Sequence, residues 1–150
     1  MPGEFVYSTR ETPEVEEFLD VLRRSTLAER RPVEDEECIA AMVSRASLWA
    51  TCRLDGKLIG FARSLTDFAY ACYLSDLAVD AAFARQGIGR RLIEETRSRL
   101  GPRAKIILLS APKAVDYSPH IGFSPHPSAW TLDAAGGSNA AELPHPSGRE

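Results

Sequence analysis

Two stretches hold the residue types and spacings best suited to chemistry. In "VDAAFARQGIGRRLIEE", residues 79–95, Gly87 and Gly89 stand between a strand-like and a helix-like run, with Arg85, Gln86, Arg90 and Arg91 around them. Glycines there let main-chain N–H groups approach an anion. A helix N-terminus behind them adds a partial positive charge worth about 0.3–1 kcal/mol to a phosphate. Guanidinium groups beside the loop pair with phosphate oxygens bidentately, so the stretch reads as a diphosphate cradle. There is no GxxxxGK[ST], and the third glycine of a GxGxxG is replaced by Leu92, which speaks against a triphosphate or dinucleotide loop. The second stretch, "KAVDYSPHIGF", residues 113–123, sets Tyr117 beside Ser118. On a helix, neighbours point about 100° apart, so only one of the two hydroxyls can face a given site.

Other elements must position these groups. "EFVYSTR" reads as a first strand, and Thr12-Pro13 as a helix start with the cap at Thr12, followed by Val15, Phe18, Leu19 and Leu22 at helical spacing. A second, acidic helix starting near 33–35 puts Ile39, Met42, Val43 and Ala46 on one face. "SLWATCRL" and "LIGFARSL" are strands joined through Asp55-Gly56, a two-residue hairpin signal, and "YACYLSDLAVD" continues the meander. The glycine loop follows, then a helix bearing Ile88, Leu92, Ile93, Thr96 and Leu100, ended by Gly101-Pro102. "KIILLSA" reads as a strand covered on both faces, closing a β-α-β crossover, and "SAWTL" as a last strand. This order implies an α+β fold of three layers, with helices on both faces of one mixed, mostly antiparallel sheet. Residues 1–133 form a single domain, and 134–150, without periodicity, a flexible tail.

Composition narrows the function classes. The chain has 150 residues, 44% hydrophobic and 26% charged, with a net charge of −3, which gives no bulk-charge argument for nucleic acid. Cys38, Cys52 and Cys72 are odd in number and widely spaced in apolar patterns, as expected of thiols in a reducing compartment rather than a disulfide framework. No metal-ligand spacing, basic leader or apolar run of about 18 residues is present, so a cytoplasmic protein without membrane, metal or nucleic-acid partners is expected.

"LIGFAR", "YLSDLAVD", "ARQGIGRRLI" and "AVDYSPHIGF", in that order, resemble the GCN5-related N-acetyltransferase (GNAT) family over roughly residues 4–132, most closely its arylalkylamine-type branch. The family's phosphate pattern, [QR]-x-x-G-x-[GA], falls on residues 84–89. Gly87 and Gly89 match; Ala84, at the first position, does not. The resemblance implies a sheet whose fourth and fifth strands splay apart to admit acetyl-coenzyme A as cosubstrate. The pantetheine arm would pair with main-chain groups of Leu77, Ala78 and Val79. The diphosphate would sit on Arg85, Gln86, Gly87, Ile88, Gly89 and Arg90. The thioester would lie near Tyr73 to Asp76.

Acyl transfer to an amine needs a neutral amine, stabilisation of the oxyanion and a proton for the leaving thiolate. On the fourth strand Tyr73 and Ser75 share one face, and Asp76 the other unless a bulge reorients it. Any of these could accept the amine proton, although a strand-end carboxylate such as Asp76 is more often a structural hydrogen-bond acceptor than a base. The family's proton donor is the tyrosine of an F-Y-x-x-x-G-F pattern. Counted back from Gly122-Phe123, that place is Ser118, and Tyr117 takes the phenylalanine place. Tyr117 then packs in the core, and Ser118, a far weaker acid than a phenol, faces the thioester. His120 reads as a surface histidine, and His126 and His145 carry no partner pattern. Carboxylates in "EVEEFLD" and "EDEE" could steer a cationic amine, and Trp49, Phe68, Tyr70 and Trp130 could line an aromatic pocket. The resulting expectation is an N-acetyltransferase acting on a small primary amine, as monomer or homodimer. The rivals are a protein N-terminal or lysine acetyltransferase, a coenzyme-A-binding sensor with little catalysis, and a plain nucleotide-binding module.

Overall fold

The computed structural model describes residues 3–25, 27–109 and 123–135. Its elements run β1 (Phe5–Ser8), α1 (Val15–Ser25), α2 (Glu36–Arg45), β2 (Leu48–Leu54), β3 (Lys57–Thr66), β4 (Ala71–Val79), α3 (Ile88–Arg97) and β5 (Lys105–Ile107). Short 3-10 turns at Leu27–Arg30 and Ala81–Phe83 were not expected from the pattern. The five strands lie in the order β1-β2-β3-β4-β5, antiparallel except for the parallel β4/β5 pair. This is the expected mixed sheet with helices on both faces.

Local chemistry explains most boundaries. Asp55 and Gly56 hold φ of 51° and 83°, so the hairpin closes with Leu54 opposite Lys57. Asp35 caps α2, its Oδ1 accepting from Cys38 N at 3.0 Å. Thr12 does not cap α1. The helix starts at Val15, where the Glu17 carboxylate accepts from Glu14 N at 3.0 Å and takes over that role.

The core divides between the two faces of the sheet. Phe18, Val21, Leu22, Ile39 and Val43 of α1 and α2 pack on Trp49, Leu58, Phe61 and Ala78. Trp49 meets both Phe18 and Phe61 edge-on, and its indole N–H donates to Val43 O at 3.3 Å, so its ring belongs to the core. On the other face Ile88, Leu92 and Ile93 of α3 pack on Ala50, Cys52, Ile59, Ala62 and Leu74. Each of the buried valines, leucines, isoleucines and phenylalanines among them contributes about 1.5–3 kcal/mol.

Two expectations about the sheet fail. β5 is not covered on both faces: Ile106 packs toward α3, but Ile107 is 50% exposed on the opposite side. "SAWTL" forms no strand, because Trp130 and Leu132 project into solvent, 67% and 80% exposed, and residues 128–132 gain no packed face to pay for extension. Among the cysteines, Cys52 and Cys72 are buried free thiols, whereas Cys38 is only half-buried. The proposed tail beyond 135 lies outside the described residues.

Candidate active site

The site is organised by an irregularity in β4. Arg63 pairs with Asp76 and Ser64 with Leu74, so Ser75 has no opposite number and β4 carries a bulge there. Leu74 packs toward α3, yet Asp76, two residues on, faces α1 and α2 with Ala78. The hydrogen-bonding direction shifts as well. Ala71 O accepts from Asp67 N of the β3 side before the bulge, and after it Asp80 N donates to Ile59 O at 2.8 Å. With a period of two, Ala78 bonds toward β3, and Leu77 and Val79 turn their N–H and C=O groups to the opposite edge.

That edge is where β5 would continue. The two strands pair only through Ala71–Lys105, Cys72–Ile106 and Tyr73–Ile107, while β4 runs on to Val79. Beyond Tyr73 no strand among the described residues pairs with β4 on this side. Among the described residues, a row of outward main-chain donors and acceptors thus runs on past the paired part of β4, the arrangement that receives an extended ligand by strand addition.

This edge of β4 leads into the glycine loop. Asp80 caps the turn that leaves β4, accepting from Ala82 N at 2.9 Å, and Arg24 of α1 lies 3.8 Å from its carboxylate. Arg85 and Gly87 then take φ of 65° and 80°, which turns the chain sharply into α3. Gly87 is the N-cap of α3 and supplies no side-chain cap, so no side chain of that residue competes for the first N–H groups of the helix. Ile88 and Gly89 are buried, leaving them only main-chain atoms to offer a ligand, whereas Arg85, Gln86 and Arg90 are exposed beside the loop. Gly60 of β3 keeps this corner tight: a Cβ there would lie 3.3 Å from Ala78 O and from Ile88 Cγ2. Arg91 is not part of the cradle. Its guanidinium sits 4.4 Å over the Tyr7 ring and donates to Glu95 at 2.8 Å.

On the α1/α2 face of β4, Tyr73, Ser75 and Asp76 come together, because the bulge reorients Asp76 onto the side that Tyr73 and Ser75 share. Asp76 is 1% exposed and doubly bridged: Arg63 Nε contacts Oδ2 at 2.5 Å, and Arg31 Nε contacts Oδ1. Arg63 Nη2 also donates to Ser75 Oγ at 3.1 Å, and Arg31 Nη2 to Ser75 O at 2.9 Å. Both carboxylate oxygens are therefore engaged in a bridge that pins the bulge. Sequence reasoning missed these arginines. Arg63 left a signal, a charge inside the otherwise apolar run "LIGFARSL"; Arg31, in "AERRP", left none. Tyr73 is 39% exposed and flanked across the sheet by Leu65 and Ile107, 42% and 50% exposed.

An open cleft of about 330 Å³ lined by Thr9, Arg10, Ser47 and Arg99 lies at the opposite end of the sheet, away from the glycine loop. Phe68 and Tyr70 are near that end too; Tyr70 is 71% exposed. Among the described residues no group of three His, Cys, Asp or Glu is placed to hold a metal ion, and no helix is long and apolar enough to cross a membrane.

A sequence model of the acetyltransferase (GNAT) family matches residues 12–115. The chain belongs to this family. Solved structures share the GNAT fold at low identity. A Staphylococcus aureus protein superposes with a TM-score of 0.70 at 16% identity, covering 87% of this chain and 98% of that one. An aminoglycoside N-acetyltransferase in complex with coenzyme A gives 0.65 at 15%, covering 87% and 95%. The Arabidopsis thaliana protein GCN5-related N-acetyltransferase 2, chloroplastic, is 34% identical over 73 residues, 47% of this chain. The match spans only 28% of that relative's length. Of the GNAT site residues expected from sequence, the structure brings Leu77, Ala78 and Val79 to the head of the loop 85–90 and sets Tyr73 and Asp76 on the adjoining face. Tyr117 and Ser118 lie outside the described residues.

Proposed function

We propose that this GNAT chain is an acetyl-coenzyme A dependent N-acetyltransferase that moves the acetyl group directly to a small primary amine in a ternary complex. The observation that carries this reading is the continuity of two binding features. The outward main-chain groups of Leu77 and Val79 run into a loop with two positive-φ residues and a helix start that has no side-chain cap. An extended arm ending in a diphosphate fits that sequence of groups, with Ala78 between the two edge residues and Arg85, Gln86, Gly87, Ile88, Gly89 and Arg90 around the phosphates. Acetyl-coenzyme A supplies the activated thioester when bound.

The chain's own residues then divide the remaining work. The β4 edge fixes the arm, and the α1/α2 face, with Tyr73 and Ser75, receives the amine. Asp76, closed off by Arg31 and Arg63, acts as a brace for the bulge rather than as the base. Ser118, with Tyr117 turned to the core, takes the position from which the leaving thiolate is protonated, through water. The apolar group of Tyr73, Leu65 and Ile107 favours an amine with an apolar or aromatic body, in keeping with an arylalkylamine-type acceptor.

Calorimetry with coenzyme A, followed by thiol release from acetyl-coenzyme A over a panel of amines, tests the reading. Coenzyme A should bind, ATP should not, and at least one amine should accelerate thiol release above hydrolysis. Failure to bind coenzyme A overturns the proposal. The engagement of Asp76 favours one rival, a coenzyme-A-binding sensor, since it removes the carboxylate on β4 from catalysis. Tight binding with no turnover on any amine would select that rival.

A further inference from the structure

We infer that the acceptor carries a carboxylate beside its apolar body, and that Arg31 recognises it; the inference rests on the acetyltransferase reading above. On the acceptor face, two guanidiniums, Arg31 and Arg63, are bridged to the single carboxylate of Asp76. Among the described residues one positive charge of this triad is left over, in a cluster largely shielded from water, with side chains 20%, 8% and 0% exposed. Uncompensated charge in such surroundings is costly, so the arrangement favours an incoming anion. The ion-paired carboxylates of α1 do not supply it: Glu17 is held by Arg53 and Asp20 by Arg24.

The donors are partly used and partly open. Arg31 spends Nε on Asp76, one Nη on Arg30 O and the other on Ser75 O. A guanidinium has five N–H bonds, so two remain on Arg31, the more exposed of the pair. Tyr73 stands two residues from Ser75 on the same face, about 7 Å along the strand, with Leu65 and Ile107 at its sides. An apolar surface thus adjoins a surplus guanidinium across one short span. An apolar or aromatic amino acid has this combination of groups; a polycationic sugar amine does not.

Binding to the full chain saturated with coenzyme A separates the possibilities without requiring turnover. Phenylalanine, phenylalaninamide and phenethylamine share the amine and the ring, and only the first has the carboxylate. Phenylalanine should bind at least tenfold more tightly than the other two. Measured at saturating coenzyme A, Arg31→Leu should erase the difference, and Arg31→Lys should restore part of it. Asp76 keeps its bridge to Arg63 in both variants, so the bulge retains a partner. Equal or weaker binding of phenylalanine, no binding of any of the three, or a preference that survives Arg31→Leu overturns the inference. A retained carboxylate preference with no acetyl transfer to any amine would instead defeat the acetyltransferase reading alone.

Discussion

Ser75 and Asp76 are neighbours in a β-strand, yet one arginine holds both from the same face: Arg63 Nη2 reaches Ser75 Oγ at 3.1 Å and Nε reaches Asp76 at 2.5 Å. In a regular strand their side chains would point to opposite sides of the sheet. The bulge that brings them together also turns Leu77 and Val79 toward the edge where a ligand can pair. Site face and ligand edge are therefore two consequences of one inserted residue.

Removing the carboxylate while keeping its shape tests that link. Asp76→Asn leaves two guanidiniums facing each other in a site that is almost dry, and a buried pair broken from one side typically costs about 3–5 kcal/mol. The urea midpoint should fall accordingly, and coenzyme A should bind more weakly because the β4 edge loses its brace. Unchanged stability would show that the bridge does not hold the bulge.

Much of this was legible in the residues, and the exceptions have physical causes. Asp55-Gly56 announced its hairpin because positive φ at both places admits few alternatives, and the apolar stripes of α1, α2 and α3 announced their buried faces. The orientation of Asp76 was not legible, since the bulge depends on Arg31, 45 positions away in sequence. "SAWTL" had strand-like composition, but strand formation requires a partner and a face to bury, and neither is a property of five residues. The turn at Gly87 was readable because a φ of 80° between a strand and a helix is a place that glycine fills at little cost.

Gly87→Ala probes the loop. Nothing lies within 4 Å of the added Cβ, so sterics against neighbours cost nothing and the penalty is the left-handed φ of 80° alone. A stability loss of about 1–2 kcal/mol is expected. If the turn cradles a diphosphate, coenzyme A affinity should fall at least tenfold while dephosphorylated pantetheine binding changes little. An equal loss for both ligands would remove the diphosphate from this loop.

The pH dependence of stability should report a second charge cluster, at β2 and α1. Arg53 donates to Glu11 at 2.9 Å and to Glu17 at 2.6 Å, and Thr51 Oγ1 donates to Glu11 at 2.6 Å. Hydrogen bonds from Arg53 hold both carboxyls below their ordinary value of 4.5. A depressed folded-state pKa means that their contribution is complete above about pH 4.5 and is lost as pH falls through the lowered values. Urea midpoints should therefore decline on the acid side, and Arg53→Met should be less stable at neutral pH with a shallower acid slope. Parallel curves for the two proteins would count against the network.

Ser118→Tyr addresses the proton for the leaving thiolate. A phenol is a far stronger acid than a serine hydroxyl, and a positioned general acid contributes roughly 10²–10⁴ in rate, or about 3–5 kcal/mol of barrier. If Ser118 stands where a donor is needed, the substitution should raise kcat while leaving the KM for acetyl-coenzyme A in place. Tyr117→Phe separates the neighbours: if Tyr117 serves only as an apolar ring, losing its hydroxyl should leave kcat in place. A fall in kcat for Tyr117→Phe, with no gain for Ser118→Tyr at unchanged cofactor affinity, would exchange the roles of the two side chains.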